Sequence, residues 1–194
     1  MSTYSDLSTA VTSFAGQEGN SEFTNMVGSF IELGEADVYR SLRHDRMVKS
    51  YALSGVAPYL IPDDFLEPVA VNHGYTACEY RPPEIILAVE ATLEAPTAWA
   101  IFGSEFVFDG LPTAETVVSY FAKLPALVTQ PNALFLLNPD LFLYAALAHA
   151  MIFLRDEGRQ AVWTGLFRQK LDEINAASWH ARLPKQQLLR QRIF

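Results

Sequence analysis

Leu141 to Leu154 is a run of 14 residues that would be apolar on almost every side of a helix, broken only by Tyr144 and His149. The Asn138-Pro139-Asp140 step in front of it supplies a helix start with proline in the first turn. The run is 14 residues long, short of the ~20 that a membrane span needs. It therefore has to be covered by protein, and the chain has to be built around it. The partner that follows is amphipathic. After the Asp156-Glu157-Gly158 break, Val162, Trp163, Leu166, Phe167, Leu171 and Ile174 form a stripe, with Arg159, Gln160, Arg168, Gln169, Asp172 and Glu173 opposite, ending near His180.

Two further helices are predicted at the other end. Tyr4, Leu7, Val11 and Phe14 recur at helical spacing between Thr3, an N-cap residue, and Gly16. Met26, Phe30 and Leu33, flanked by Val27, Ile31, Val38 and Leu42, then mark a longer helix reaching about Arg43. From Arg46 the period shortens to two: Met47, Lys49, Tyr51 and Leu53 alternate with Val48, Ser50, Ala52 and Ser54, a strand expected to turn at Ser54-Gly55 into a hairpin. Further β-type runs occupy Glu67 to His73, Tyr75 to Arg81, Trp99 to Phe102, Glu105 to Phe108 and Thr116 to Ala122. The turns between them fall at His73-Gly74, Gly103-Ser104 and Asp109-Gly110. Pro83 to Glu94 is compatible with a helix, and Leu124 to Leu137, broken by Pro125 and Pro131, reads as extended. The expectation is an α+β fold: a helical bundle from 1–45 and 138–181, a β-rich insert over 46–123, a crossing segment over 124–137 and an extended C-terminal tail over 182–194.

Half of the 194 residues are apolar and 19% are charged, which excludes a disordered segment or a coiled coil. A net charge of −8 argues against a body that binds nucleic acid or an anionic membrane. The tail stands apart, with four basic and no acidic side chains in residues 182–194, against five basic and 14 acidic in residues 1–94. A frayed terminus is the plain reading of it. The single Cys78 excludes an internal disulfide and points to a reducing compartment, and the opening residues carry no secretory leader pattern.

Catalytic signals are weak. His44-Asp45 could act as a base with its orienting carboxylate, but adjacent side chains seldom face each other and no nucleophile is placed by a motif. Cys78 reads as a small buried apolar residue and His149 as a hydrogen-bonded histidine in an apolar setting, with a contact between subunits as the other reading. His44, His73, His149 and His180 form no zinc-binding pair, and Asp63-Asp64 and Asp156-Glu157 read as caps or solvent-facing groups before cation ligands. Nucleotide-binding glycine loops are absent, so neither metal nor cofactor is expected.

One local pattern is more specific: Gly55-Val56-Ala57-Pro58-Tyr59-Leu60-Ile61-Pro62-Asp63-Asp64-Phe65, a Gly-x-x-x-Tyr-x-x-Pro-x-Asp-Phe hairpin. It follows two helices ending in a basic cluster, Arg40, Arg43 and Arg46, and precedes an aromatic-rich β segment and two helices carrying Trp163 and Phe167. In this order the chain resembles the head-to-tail adaptor, or connector, proteins of tailed bacteriophages. It departs from them in lacking a tryptophan after the basic cluster, at Arg46-Met47-Val48.

The resemblance implies a non-enzymatic subunit of a homo-oligomeric ring, of twelve copies, in the neck of the virion between portal and tail, assembled in the host cytoplasm. DNA would pass through its channel without specific binding, and no membrane would be involved. The portal protein would be met by the C-terminal tail through Arg182, Lys185, Leu188, Leu189, Arg190, Arg192, Ile193 and Phe194. The alternatives are another phage neck component, a head-completion or tail-terminator protein, and, from a different class, a small-molecule enzyme using His44 and Asp45 or Cys78.

Overall fold

The computed structural model describes residues 1–53, 57–88 and 94–182. In chain order the elements begin with α1 (Tyr4–Ala15), α2 (Ser21–Ser41), β1 (Val48–Ala52), β2 (Tyr59–Leu60) and β3 (Phe65–His73). Next come β4 (Thr76–Ala77), β5 (Glu79–Tyr80), α3 (Pro83–Ala88), β6 (Ala98–Phe102), β7 (Glu105–Phe108) and β8 (Thr116–Ala122). The chain then runs through α4 (Ala133–Leu137), α5 (Pro139–Phe153) and α6 (Glu157–Arg182). The fold is α+β. It divides into two compact units, one made of Met1–Arg46 with the residues from Leu124 onward, the other of Met47–Lys123.

In the helical unit each start is written locally. Thr3 and Asp6 form a capping box on α1, Asn20 accepts the Phe23 amide of α2 at 3.2 Å, and Asp156 accepts the Arg159 amide of α6 at 2.9 Å. Gly16 ends α1 at φ 68°, where a side chain would be strained. Helix α5 is the axis, with Leu141, Phe142, Ala145, Ala146, Leu147, Ala150 and Met151 all buried and α1, α2, α4 and α6 packed on it. The Leu124 to Leu137 stretch, expected to be extended, turns helical over α4, because Asn132 places its Oδ1 2.9 Å from the Phe135 amide and caps it. The stripe on α6 is also less buried than its periodicity suggests. Trp163 stacks on Tyr144 at 5.8 Å, and Leu171 and Ile174 are buried, yet Val162 remains 59% exposed and Leu166 36%. Helices α1 and α2 already cover much of α5, so α6 has only part of that surface to meet.

The β-rich unit is two four-stranded sheets, ordered β1-β8-β3-β4 and β2-β7-β6-β5. All pairings are antiparallel except β5 with β6. The two sheets share one core: Leu53, Val71, Val118 and Tyr120 from the first face Trp99, Phe106 and Phe108 from the second, with Cys78 between β4 and β5. The other face of the second sheet is covered by Ile86 of α3 against Ala98, Ala100 and Val107. The hairpin expected after β1 does not form: β1 pairs with β8, with Val48 opposite Phe121 and Ala52 opposite Val117. Nor is the Gly-x-x-x-Tyr-x-x-Pro-x-Asp-Phe segment a hairpin. Its Tyr59 pairs with Phe106 in one sheet, while Phe65 starts the strand that pairs with β8 in the other. Alternation of side chains reports a strand but not its partner, and here the partner lies far along the chain.

Candidate functional site

Of the eight tail residues, Arg182 closes α6, while Lys185, Leu188, Leu189, Arg190, Arg192, Ile193 and Phe194 lie outside the described residues. The turn at Ser54-Gly55, and with it the first glycine of the Gly-x-x-x-Tyr motif, also lies outside them. Two arginines of the basic cluster serve local structure: Arg40 pairs with Asp37 at 2.6 Å, and Arg43 donates to the Tyr39 and Leu42 carbonyls at the end of α2.

His44 Nδ1 accepts the Arg46 amide at 3.1 Å, and Asp45 Oδ1 accepts the Ser178 hydroxyl at 3.2 Å. Cys78 is buried and its Sγ donates to the Pro96 carbonyl at 3.3 Å; burial, then the charge of Asp109, push its thiol above the ordinary value. That is the opposite of what a nucleophile needs. His73 shares a hydrogen bond of 2.8 Å with Thr116. Among the described residues no group of three or more His, Cys, Asp or Glu side chains is placed to hold a metal ion.

The motif segment carries a different kind of geometry. The Phe65 amide donates to the Pro62 carbonyl at 2.9 Å, closing the turn by which the chain leaves one sheet for the other. Asp64 then accepts the Tyr120 hydroxyl at 2.8 Å and the Lys49 ammonium, while Phe65 stacks on Tyr120 at 5.4 Å and meets Phe106 edge-on at 5.7 Å. Tyr59 meets Phe108 edge-on at 5.8 Å. Phe65 therefore joins the two sheets through Phe106, while Asp64 ties the start of β3 to β1 and β8 of its own sheet.

This chain matches the family model described as SU10 adaptor protein over residues 2–188. It belongs to that family of phage head-to-tail adaptors. No curated protein matches it. The family is one of structural proteins of the virion neck that contact portal and tail proteins. No helix among the adaptor's described residues is long and apolar enough to cross a membrane.

An adaptor works through surfaces, and two clefts of the helical unit bring charged groups together with apolar walls. One, of about 200 Å3, lies where α5 and α6 meet Asp37 of α2, and is lined by Ala145, Ala148, His149, Ile152, Gln160, Thr164, Phe167 and Arg168. His149 Nε2 lies 2.9 Å from Asp37 Oδ2, with both side chains partly exposed, so the polar partner expected for this histidine is a carboxylate. The other cleft, of about 390 Å3, runs along α2 beside Tyr4, Asn25, Gly28, Ser29, Glu32 and Glu35 and is closed by Ala126 and Val128.

A buried polar network missed by the sequence reading starts from Glu35 in its lining. Glu35, 7% exposed, accepts the Leu127 amide at 3.2 Å and bonds the Tyr39 hydroxyl, while Asn132 donates to Tyr39 Oη and to the Pro125 carbonyl, each at 3.1 Å. Burial, then the charge of Glu35, hold the Tyr39 phenol well above its ordinary value. The signal was present as a glutamate inside an apolar stripe, between Ile31 and Val38.

Proposed function

We propose that this adaptor is one subunit of a homo-oligomeric ring, of twelve copies, that docks on the portal at the capsid vertex, receives the tail on its other side and lines the channel through which DNA passes. The family match over residues 2–188 carries this reading. Three properties of the chain support it. An acidic channel suits transit, because a basic lumen would retain phosphates, and the chain has a net charge of −8. Exposed apolar side chains on the helices, Phe14, Leu33, Ile152 and Val162 among them, are what surface destined for interfaces carries. The basic and apolar tail, Arg182, Lys185, Leu188, Leu189, Arg190, Arg192, Ile193 and Phe194, has the composition of a segment that orders on a partner.

Electron microscopy of the purified adaptor with and without its portal tests the proposal. The expected image is a ring of adaptor density concentric with the portal, with weak self-assembly in its absence. A stable closed dimer under both conditions overturns the ring, since a two-fold contact uses up the surfaces that a ring needs.

A further inference from the structure

We infer that the cleft holding His149 and Arg168 receives an acidic side chain from the neighbouring copy of this chain, Glu32, so that one flank of each helical unit packs against the opposite flank of the next. The inference rests on the ring proposed above.

Size and chemistry define the occupant. At about 200 Å3 the cleft is smaller than the ~300–1,000 Å3 of small-molecule sites and suits a side chain. Its apolar walls, Ala145, Ala148, Ile152 and Phe167, carry the polar groups His149, Gln160, Thr164 and Arg168. The one acidic group at its edge, Asp37, is already held by His149 at 2.9 Å and Arg40 at 2.6 Å. Arg168 is exposed and makes no ion pair among the described residues. With Asp37 committed to His149 and to Arg40 outside the cleft, the Arg168 guanidinium in its lining is left without a carboxylate among the described residues. A carboxylate is the group such a cleft lacks.

The same chain carries that group on another face. With 3.6 residues per turn, Leu33, Asp37 and Arg40 fall on one side of the buried stripe of α2, and Gly28, Glu32 and Glu35 on the other. Glu32 is exposed, lines the second cleft and makes no ion pair among the described residues. Set on two different flanks, the complementary groups suit a contact between successive copies rather than within one. They satisfy each other head to tail, which is the contact that closes a ring. Leu33, 51% exposed and one turn before Asp37, and Ile152, 58% exposed in the cleft wall, supply apolar area that would shield the pair from water.

Charge exchange and cross-linking test the pairing in assembled particles. Arg168→Glu and Glu32→Arg should each reduce adaptor incorporation by about tenfold or more, since like charges then face each other. The double variant should restore it. Independently, a chain carrying both Glu32→Cys and Arg168→Cys should, on mild oxidation of particles, give a ladder of linked adaptors, while each single variant gives none; Cys78 is buried and does not take part. Dimers from a single variant, or full incorporation of either charge-reversed chain, overturn the pairing. Particles with an adaptor ring but no ladder overturn this pairing alone, whereas particles whose adaptors form no ring overturn the ring reading with it.

Discussion

Gly34 of α2 meets the backbone of Ala146 of α5 so closely that a Cβ built on the glycine would lie 2.8 Å from the alanine nitrogen and 3.0 Å from the Ala145 carbonyl carbon. The obstacle is backbone, which cannot rotate away, so the two helices would have to separate. Gly34→Ala should therefore destabilise the adaptor despite alanine's better helix propensity, by about 1–3 kcal/mol. Denaturant titration should show a lower midpoint with an unchanged slope. A midpoint at or above that of the parent would mean that the helices can part without cost.

Leu147 is fully buried on the same helix, 0% exposed. Leu147→Ala should lower stability by about 2–5 kcal/mol through lost contacts and the cavity left behind. Leu147→Asp places an unpaired carboxylate in that space, and soluble protein with native circular dichroism is not expected from it. A soluble aspartate variant with unchanged melting would show that this side of α5 is open to water.

Two tyrosines of the β-rich unit lie edge-to-face 5.9 Å apart and should respond oppositely to loss of their hydroxyls. Tyr51 Oη is buried and has no hydrogen-bond partner among the described residues, whereas Tyr120 donates to Asp64 at 2.8 Å. Removing an unsatisfied buried hydroxyl removes a desolvation cost, so Tyr51→Phe should raise stability by about 1 kcal/mol, and Tyr120→Phe should lower it by about as much. Thermal melts of the two variants side by side make the comparison.

The pH dependence of the same cluster has a defined sign. Burial would raise the Asp64 carboxyl, but hydrogen bonds from Lys49 and Tyr120 outweigh it and hold the group below its ordinary value. A carboxylate depressed in the folded state contributes above its unfolded pKa of about 4, and the contribution disappears as pH falls through the lower folded value. Tyr120 is displaced the other way, to about 12, by burial and then by Asp64. Its contribution is complete below pH ~10 and is lost as pH rises toward the folded value. Asp64→Asn should flatten both limbs of the stability profile, measured by denaturant midpoints from pH 3 to 11. An unchanged acid limb would show that Asp64 ionisation is not linked to folding.

What the sequence disclosed follows from how local each determinant is. The starts of α1 and α2 are written in side chains that bond to their own backbone, Thr3 with Asp6 and Asn20 with Phe23; of these the Thr3 cap was read from the sequence and the Asn20 cap was not. Most strands were legible, since alternation around Lys49, Tyr51 and Val118 is a local property. Pairing was not: Tyr51 sits opposite Val118 in the β1 to β8 ladder, 67 positions away in the chain, and nothing in the intervening residues names that partner. Asp64 illustrates the same gap at the level of chemistry. Its place in a Pro-x-Asp-Phe turn was readable as a break between strands, but its bonds to Tyr120 and Lys49 come from the pairing of β1, β8 and β3, distant in the chain, into one sheet. The clefts of the helical unit were hidden for a related reason, since Asp37, His149 and Arg168 come from three helices.

The tail separates two mechanisms of docking that should fail in different ways. Arg182, Lys185, Arg190 and Arg192 would meet portal carboxylates or carbonyls, while Leu188, Leu189, Ile193 and Phe194 would fill apolar pockets. Charges at the rim of an interface mainly steer encounter, and buried apolar anchors mainly set how long the complex lasts. Neutralising the four basic residues should therefore slow association with the portal and weaken its salt dependence, with little change in dissociation. Deleting residues 188–194 should instead speed dissociation and leave particles without joined heads and tails, while the rest of the subunit stays folded. The competing partner is DNA, for which a cluster of basic side chains would suffice. A peptide of residues 182–194, titrated against portal and against duplex DNA at physiological salt, should bind the portal alone. Tight binding to DNA with none to the portal would reassign the tail to the nucleic acid.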